Sequence, residues 1–169
     1  MPGRLLIFCG IPGSGKTTIA RLVAKTDPRA ILIQTDAIRS MLPEHDYSVE
    51  ESDLVYKSCA AVAKVWLGSD RLVIVDGTFG SARRREMTLA QLSGCFRRVD
   101  FVHVVCDLET ALKRNAVRSA AVPPDRVRGI LSAFEPPERA IVVDSSKVSP
   151  ESAAEMILRE LLYPLVPPE

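Results

Sequence analysis

Eight residues near the amino terminus, Gly10 to Thr17, have the spacing G-x-x-x-x-G-K-T. They lie between a short apolar run and a helix-like segment, the context in which this spacing forms a phosphate-binding loop. Its glycines permit backbone angles that turn successive N–H groups toward a phosphate. ATP is the predicted ligand, and the residues predicted to bind it are Gly10, Ile11, Pro12, Gly13, Ser14, Gly15, Lys16, Thr17 and Thr18.

Three side chains have the chemistry of a Mg²⁺-nucleotide site. Lys16 is predicted to reach the β- and γ-phosphates as a catalytic cation, and Thr17 to place its hydroxyl on Mg²⁺. Asp76 ends the apolar run Leu72–Val75, and ligands collect at the carboxyl ends of strands in open α/β sheets. Asp76 is therefore predicted to hold the metal through water or to orient a substrate group. The alternative is a carboxylate that caps the following turn.

Asp36 and Arg39 follow the second apolar run and are three residues apart, so one helical turn places both on the same side. Phosphoryl transfer to an alcohol needs a carboxylate for the hydroxyl proton and a cation to hold the acceptor. Both residues are therefore predicted to be catalytic. The alternative is structural: Thr35 or Asp36 caps a helix that begins at Ala37, and Arg39 is solvated.

Arg114 and Arg118 are four residues apart, a spacing that puts them on one face of a helix. Guanidinium groups that close over a triphosphate neutralise the transferring group and exclude water. We predict that both arginines are catalytic, that Arg114 also binds the nucleotide, and that a lid spans about residues 114–125. A solvated basic helix end is the alternative.

The apolar pattern predicts the scaffold that positions these residues. Short apolar runs separated by helix-like segments are typical of strands buried on both faces of a parallel sheet. This alternation predicts a doubly wound α/β fold, with helices on both faces of the sheet. The predicted strands are 4–9, 30–34, 72–75, 99–106 and 140–143, and the predicted helices include 16–25, 49–67, 82–92 and one capped by Asp107.

One predicted helix, 49–67, has Val55, Cys59, Val62 and Trp66 at helical spacing, and these four residues are predicted to form its buried face.

Composition and charge limit the classes of protein. The chain has 169 residues, 47% of them hydrophobic, so one globular domain over 1–169 is expected. Its net charge is only +1, so no overall positive potential is expected to attract nucleic acid or membrane surfaces. The amino terminus has neither a signal peptide nor a membrane span, and a cytoplasmic location is expected. The cysteines are far apart, which argues against structural zinc; Cys9 and Cys106 are expected to be buried.

Four segments together resemble the kinase branch of P-loop proteins, especially polynucleotide 5′-hydroxyl kinases and seryl-tRNA(Sec) kinases. The segments are Gly10–Thr18, Asp36–Arg39, Val75–Thr78, and Lys113–Arg118 followed by Val122–Asp125. The resemblance implies a P-loop NTPase fold with five parallel strands in the order 2-3-1-4-5, and ATP and Mg²⁺ as cofactors.

The same resemblance implies roles for the site residues. Asp36 would be the general base and Arg39 would contact the acceptor end, while Arg114 and Arg118 would belong to the lid over ATP. The acceptor would be a hydroxyl of a nucleotide or of a nucleic-acid end. Family members often have D-T-N where this chain has Asp76-Gly77-Thr78.

A second resemblance is to adenylylsulfate kinases, through Phe134–Glu138 and the strand that ends at Val143-Asp144. Their typical F-V-S-P-Y-R segment is replaced here by Thr78–Arg83, which favours the first resemblance. Seryl-tRNA kinases carry a further carboxy-terminal domain, and because this chain ends at Glu169 a whole tRNA is not the expected substrate.

Two other functional classes remain open, a regulatory NTPase switch and a kinase for an antibiotic or sugar nucleotide. Acceptor choice is expected to depend on a cleft built from about 43–56 and 79–85. A local basic rim for nucleic acid is a further possibility, and its members would be Arg83, Arg84, Arg85, Arg97, Arg98, Arg126 and Arg128.

Overall fold

A five-stranded parallel sheet forms the centre of the protein. The computed structural model describes residues 3–44, 46–118 and 120–162. The strands are β1 (Gly3–Cys9), β2 (Ile31–Gln34), β3 (Leu72–Asp76), β4 (Phe96–Val105) and β5 (Ile141–Asp144). Their order is β2-β3-β1-β4-β5, with parallel pairing throughout. The predicted fold and strand order are confirmed.

Helices cover both faces of this sheet. They are α1 (Lys16–Lys25), α2 (Thr35–Arg39), α3 (Val49–Leu67), α4 (Ala82–Gln91), α5 (Leu108–Ala116), α6 (Pro124–Ser132) and α7 (Pro150–Leu162). Because side chains alternate along a strand, Leu5 and Ile7 pack with α3 on one face, whereas Leu6 and Phe8 pack with α1 and α7 on the other. The carboxyl ends of the strands therefore share one edge, where the connecting loops meet.

The buried face of α3 differs from the predicted one. Val55 and Cys59 are buried as expected, but Val62 and Trp66 are each 38% exposed. The helix instead buries a stripe with several small residues, namely Ser52, Val55, Tyr56, Cys59, Ala60, Ala63 and Leu67. Small side chains let the helix axis approach the sheet closely, which hydrophobicity alone does not predict.

Strand β4 begins earlier than expected, at Phe96 instead of Val99. Its first residues pair with the start of β1, with Arg98 opposite Arg4, and Asp100 accepts hydrogen bonds from Arg98. Arg97 and Arg98 thus lie at the amino end of the strand, opposite the edge that carries the phosphate loop. They are not part of a basic rim around that loop.

Two of the four cysteines, Cys9 and Cys59, are buried in the core. Cys9 is fully buried and its thiol donates to the Val102 carbonyl at 3.3 Å, and burial raises the pKa of both Cys9 and Cys59 to about 12. Cys106 is only half-buried, so the expectation of burial holds for Cys9 and in part for Cys106.

Within the described ranges, no three acidic, histidine or cysteine side chains cluster as metal ligands, and no helix is long and apolar enough to cross a membrane.

Two substitutions on α3 test the revised buried face. Leu67→Ala should lower the free energy of unfolding by about 2–5 kcal/mol, because Leu67 is fully buried and its loss leaves a cavity. Val65→Ala, on the 74% exposed side, should change it by less than about 0.5 kcal/mol. Urea denaturation would measure both values, and equal effects would contradict the assigned face.

Candidate active site

The phosphate loop connects β1 to α1 and is packed tightly against α5. Gly13 and Gly15 have φ angles of 83° and 89°, which residues with a Cβ rarely adopt. A Cβ on Gly13 would also lie 2.1 Å from the Ala111 carbonyl oxygen. Behind the loop, Ile11 packs with Ala111 of α5 and Val127 of α6. The loop therefore has a fixed position relative to the helix that carries Arg114.

Lys16 is buried at the start of α1, where its ammonium group donates to the Ile11 carbonyl at 3.3 Å. Burial lowers the pKa of Lys16, while the nearby carboxylates of Asp76 and Asp36 oppose that shift. A desolvated ammonium group gains strongly from an anionic partner. This environment suits binding of a phosphate.

Asp76 is buried at the end of β3, and one of its oxygens joins three elements. The Thr17 hydroxyl of α1 donates to Asp76 Oδ2 at 2.7 Å, and the Gln34 amide at the end of β2 donates to the same atom at 3.1 Å. Asp76 Oδ1 is buried without a hydrogen-bond partner. Gln34 is a site residue that the sequence analysis missed, although its place at the end of an apolar strand is a usable signal.

The Thr17–Asp76 pair fits a Mg²⁺ ion. Mg²⁺ takes oxygen ligands and usually keeps several waters beside one or two protein oxygens and the phosphates. A hydroxyl beside a carboxylate with one unpaired buried oxygen supplies that donor set. The predicted metal residues are thus brought together.

Asp36 and Arg118 form an ion pair in which the Arg118 guanidinium donates to Asp36 Oδ2. The amino-terminal cap of α2 is Gln34, so Asp36 lies in the first turn and the capping alternative for Thr35 or Asp36 is wrong. Arg118 lies beyond the end of α5, which means that it does not share a helix face with Arg114 as the spacing predicted. The two arginines consequently reach different partners.

Arg39 is buried rather than solvated. Its guanidinium forms an ion pair with Glu51 and donates to the Ser52 hydroxyl at 3.4 Å, both on α3. It also lies over the Tyr47 ring, 4.5 Å from the centroid. The solvated alternative for Arg39 is therefore wrong. Glu51 and Tyr47 lie within the acceptor segment 43–56 that was expected from the sequence, but neither was identified individually.

Arg114 lies beside the phosphate loop. It donates to the hydroxyl of Ser145 at 2.9 Å and to the carbonyl of Ser145 at 3.1 Å. The same hydroxyl donates to the Ser14 carbonyl at 2.7 Å. Ser145, which directly follows β5, thus joins Arg114 to the loop and was missed by the sequence analysis.

A cavity of about 320 Å³ lies next to the phosphate loop. Seven of the predicted site residues line it, namely Pro12, Lys16, Thr17, Asp36, Arg39, Asp76 and Arg118. Arg114 does not line it, and Thr18 is exposed on α1. The predicted acceptor segments contribute Tyr47, Ser52, Tyr56, Gly80, Ser81 and Arg84, and α6 adds Arg126 and Ile130. His45, within the first of these segments, lies outside the described residues.

The loop after β3 has little room for a side chain at position 77, where D-T-N has a threonine. A Cβ on Gly77 would lie 2.8 Å from Thr35 Cγ2. Phe79 is fully buried with φ of 43°, and its N–H donates to the Tyr56 hydroxyl at 3.1 Å. A bulky residue with a positive φ is strained and needs support from its surroundings. The contacts with Tyr56 hold Phe79 in this conformation, and the loop therefore stays beside the cavity.

Arg85 has a structural part in the same region. It is buried and donates to the carbonyl of Phe79 at 2.9 Å and to that of Glu135 at 2.6 Å. It therefore does not belong to a basic rim, whereas Arg84 and Arg126 do line the cavity.

Comparison with known proteins shows the family of the chain and two of its relatives. The model of a family described as AAA domain matches residues 5–137. An L-seryl-tRNA(Sec) kinase of Methanococcus maripaludis is 26% identical over 94% of this chain, which spans only 63% of that relative. A probable adenylyl-sulfate kinase of Pyrococcus abyssi is 28% identical over 95% of each chain.

A solved structure of similar fold is the Mycobacterium tuberculosis APS kinase CysC in complex with AMPPNP and APS. Its TM-score is 0.78 with 19% identity, covering 95% of this chain and 98% of that one. The predicted P-loop kinase resemblance is thereby confirmed. Both relatives are named as kinases, and the similarity to the solved structure shows a shared fold.

Asp76→Asn should weaken Mg²⁺-dependent nucleotide binding by about tenfold or more, because an amide is a poorer Mg²⁺ ligand than a carboxylate. Binding of ATP without metal should change little, since Lys16 and the loop amides remain. Calorimetry at several Mg²⁺ concentrations would measure this. Asp70→Asn, at a partly exposed aspartate before β3 that pairs with Arg97, is the matched control. An equal loss in both variants would contradict the assignment.

Proposed function

Since the chain belongs to the AAA domain family and has the P-loop kinase fold, we propose that it transfers the γ-phosphoryl group of ATP to a hydroxyl of a nucleotide or nucleic-acid acceptor. One observation carries this proposal: donor residues Lys16, Thr17 and Asp76 line the same cavity as Asp36 and Arg118. A base and a phosphate-binding cation that share one cavity are what transfer between two bound substrates requires.

On the donor side, the loop amides and Lys16 bind the triphosphate. Thr17 and Asp76 would hold a Mg²⁺ ion, which would supply positive charge to stabilise the phosphates during transfer. Arg114 and Ser145 keep the loop in place through the Ser14 carbonyl. We propose the segment at about 114–125 as the lid; Ser119 within it lies outside the described residues.

On the acceptor side, Asp36 accepts the proton of the acceptor hydroxyl while the oxygen of that hydroxyl forms a bond to the γ-phosphorus. The bond between that phosphorus and the β–γ bridging oxygen breaks, and ADP leaves with its electron pair. Arg118 must release Asp36 for this step, and the triphosphate offers it a more highly charged partner. Arg39, held by Glu51, lines the wall that orients the acceptor.

A second candidate is adenylylsulfate phosphorylation. The Pyrococcus abyssi relative, a probable adenylyl-sulfate kinase, is matched over 95% of its length, whereas the seryl-tRNA(Sec) kinase is matched over 63%. A regulatory NTPase switch is less well supported, because a cavity that holds a base beside the phosphate loop has no evident use in a switch.

Asp36→Asn should lower phosphoryl transfer by about 10²–10⁴-fold, because an amide cannot accept the hydroxyl proton. ATP affinity should be retained, since the Asp36 carboxylate is hydrogen-bonded to Arg118 and, among the described residues, not to the phosphate loop. Transfer of labelled γ-phosphate to 5′-hydroxyl oligonucleotides, nucleotides and adenylylsulfate would measure the effect.

Asp27→Asn, beyond the far end of α1, is the matched control and should behave as wild type. Absence of transfer to every acceptor by the wild-type protein, together with slow acceptor-independent hydrolysis, would favour the switch.

A further inference from the structure

Tyr47 lies in the wall of the cavity beside the phosphate loop, in the connection between α2 and α3. Two guanidinium groups lie over its ring: that of Arg39, from α2, is 4.5 Å from the ring centroid, and that of Arg126, from α6, is 4.9 Å from it. Arg126 also donates to the Tyr47 carbonyl at 2.5 Å. One residue therefore joins two helices that are far apart in the sequence.

The segment that carries Tyr47 is itself fixed on the first turn of α3. The N–H of Asp46 donates to Glu51 Oε2 at 2.7 Å, and the N–H of Ser48 donates to Asp46 Oδ1 at 2.7 Å. The Ser48 hydroxyl caps α3 by accepting from the Glu51 N–H at 3.1 Å. These hydrogen bonds hold the chain on both sides of Tyr47, so α3 determines where the ring lies.

The backbone of Tyr47 is in the left-handed region, with a φ of 57°. This conformation is unfavourable for a residue with a bulky side chain, and it persists only where the surrounding contacts outweigh its cost. Residues held in such conformations are concentrated at functional sites. The conformation therefore supports a requirement for this ring at this place.

The ring also balances two like charges. Arg39 pairs with Glu51. Hydrogen bonds from Ser48 lower the pKa of Asp46, and the Arg126 charge contributes to the same shift, so Arg126 interacts with the Asp46 carboxylate. Two guanidinium groups beside one ring repel each other, whereas the face of an aromatic ring attracts cations. The ring and the two carboxylates together stabilise a pair of cations that would otherwise separate.

We propose that Tyr47 is a positioning residue of the acceptor site, which ties Arg126 and α6 to Arg39 and so fixes the wall against which the acceptor binds. The proposal rests on the proposed function, because it takes this cavity as the acceptor site. Helix α6 begins at Pro124, next to the segment proposed as the lid, so the same contacts limit how far that segment moves from the wall. Tyr47 acts through the two arginines and does not need to touch the acceptor.

Removal of the ring should weaken acceptor binding and leave nucleotide binding intact. Adenylylsulfate and a 5′-hydroxyl oligonucleotide are the acceptor probes, each with ATP and Mg²⁺. Tyr47→Leu should raise the KM of the acceptor that is phosphorylated by about 5- to 30-fold, the change expected for loss of one or two cation–π contacts. The KM for ATP and kcat should stay unchanged, which is the pattern of a lost binding contribution.

Further variants separate the ring from the backbone. Tyr47→Phe keeps the ring and should lie closer to wild type than Tyr47→Leu does. Tyr47→Gly adopts a φ of 57° without strain, yet it should raise the acceptor KM as Tyr47→Leu does, because it also lacks the ring. Val49→Ala is the matched control, since Val49 is 61% exposed and does not line the cavity. An unchanged acceptor KM in Tyr47→Leu, or an equal rise in Val49→Ala, would overturn the proposal.

A double-mutant cycle distinguishes positioning from direct contact with the acceptor. If Tyr47 acts through Arg126, then Tyr47→Leu and Arg126→Gln should each raise the acceptor KM, and the double variant should raise it little further. Fully additive effects would overturn the positioning role, because the ring would then act independently of Arg126.

Hydrogen exchange tests the contact between Tyr47 and α6 without any acceptor. Tyr47→Leu should speed amide exchange in α6 and leave it unchanged in α7, which packs on the sheet face that carries α1. Unchanged exchange in α6 would overturn the proposal. Faster exchange in α6, in a protein whose wild type transfers phosphate to no acceptor, would refute the proposed function alone.

Discussion

The hydrogen bond between the Thr17 hydroxyl and the Asp76 carboxylate is 2.7 Å long and joins the first turn of α1 to the end of β3. Because Gln34 donates to the same oxygen, the ends of β2 and β3 and the start of α1 are held at one atom. A buried carboxylate is unfavourable unless it is paired, so these contacts must form for the loop edge of the sheet to assemble. Both the phosphate loop and the acceptor cavity depend on this arrangement.

Local sequence predicted much of the donor side because its geometry is local. The glycine spacing, the apolar strand before it and the helix after it are consecutive in the chain, and the structure places them as expected. Asp76 could be identified from its position at the end of an apolar run. The face of α3 could not be predicted from hydrophobicity, because Ala60 and Ala63 are buried for their small size whereas Val65 is left in solvent.

The acceptor side was less predictable because it depends on contacts between distant elements. The spacing of Arg114 and Arg118 suggested one helix face, but α5 ends at Ala116 and the two side chains turn to Ser145 and Asp36. Arg39 is buried through Glu51, a residue of another helix. A side chain at position 77 would collide with Thr35, which is distant in sequence, so the sequence alone does not predict this restriction.

The ion pair between Asp36 and Arg118 connects segments from opposite sides of the phosphate loop. Asp36 follows β2, Arg118 follows the helix after β4, and β1 lies between those strands in the sheet. The two side chains are 63% and 32% exposed, so mobile ions reach them, and the Debye length at physiological ionic strength is about 8 Å. Dissolved salt therefore weakens the attraction between the segment that follows β2 and the segment that follows α5, so the strength of this link depends on the surrounding electrolyte as well as on the protein.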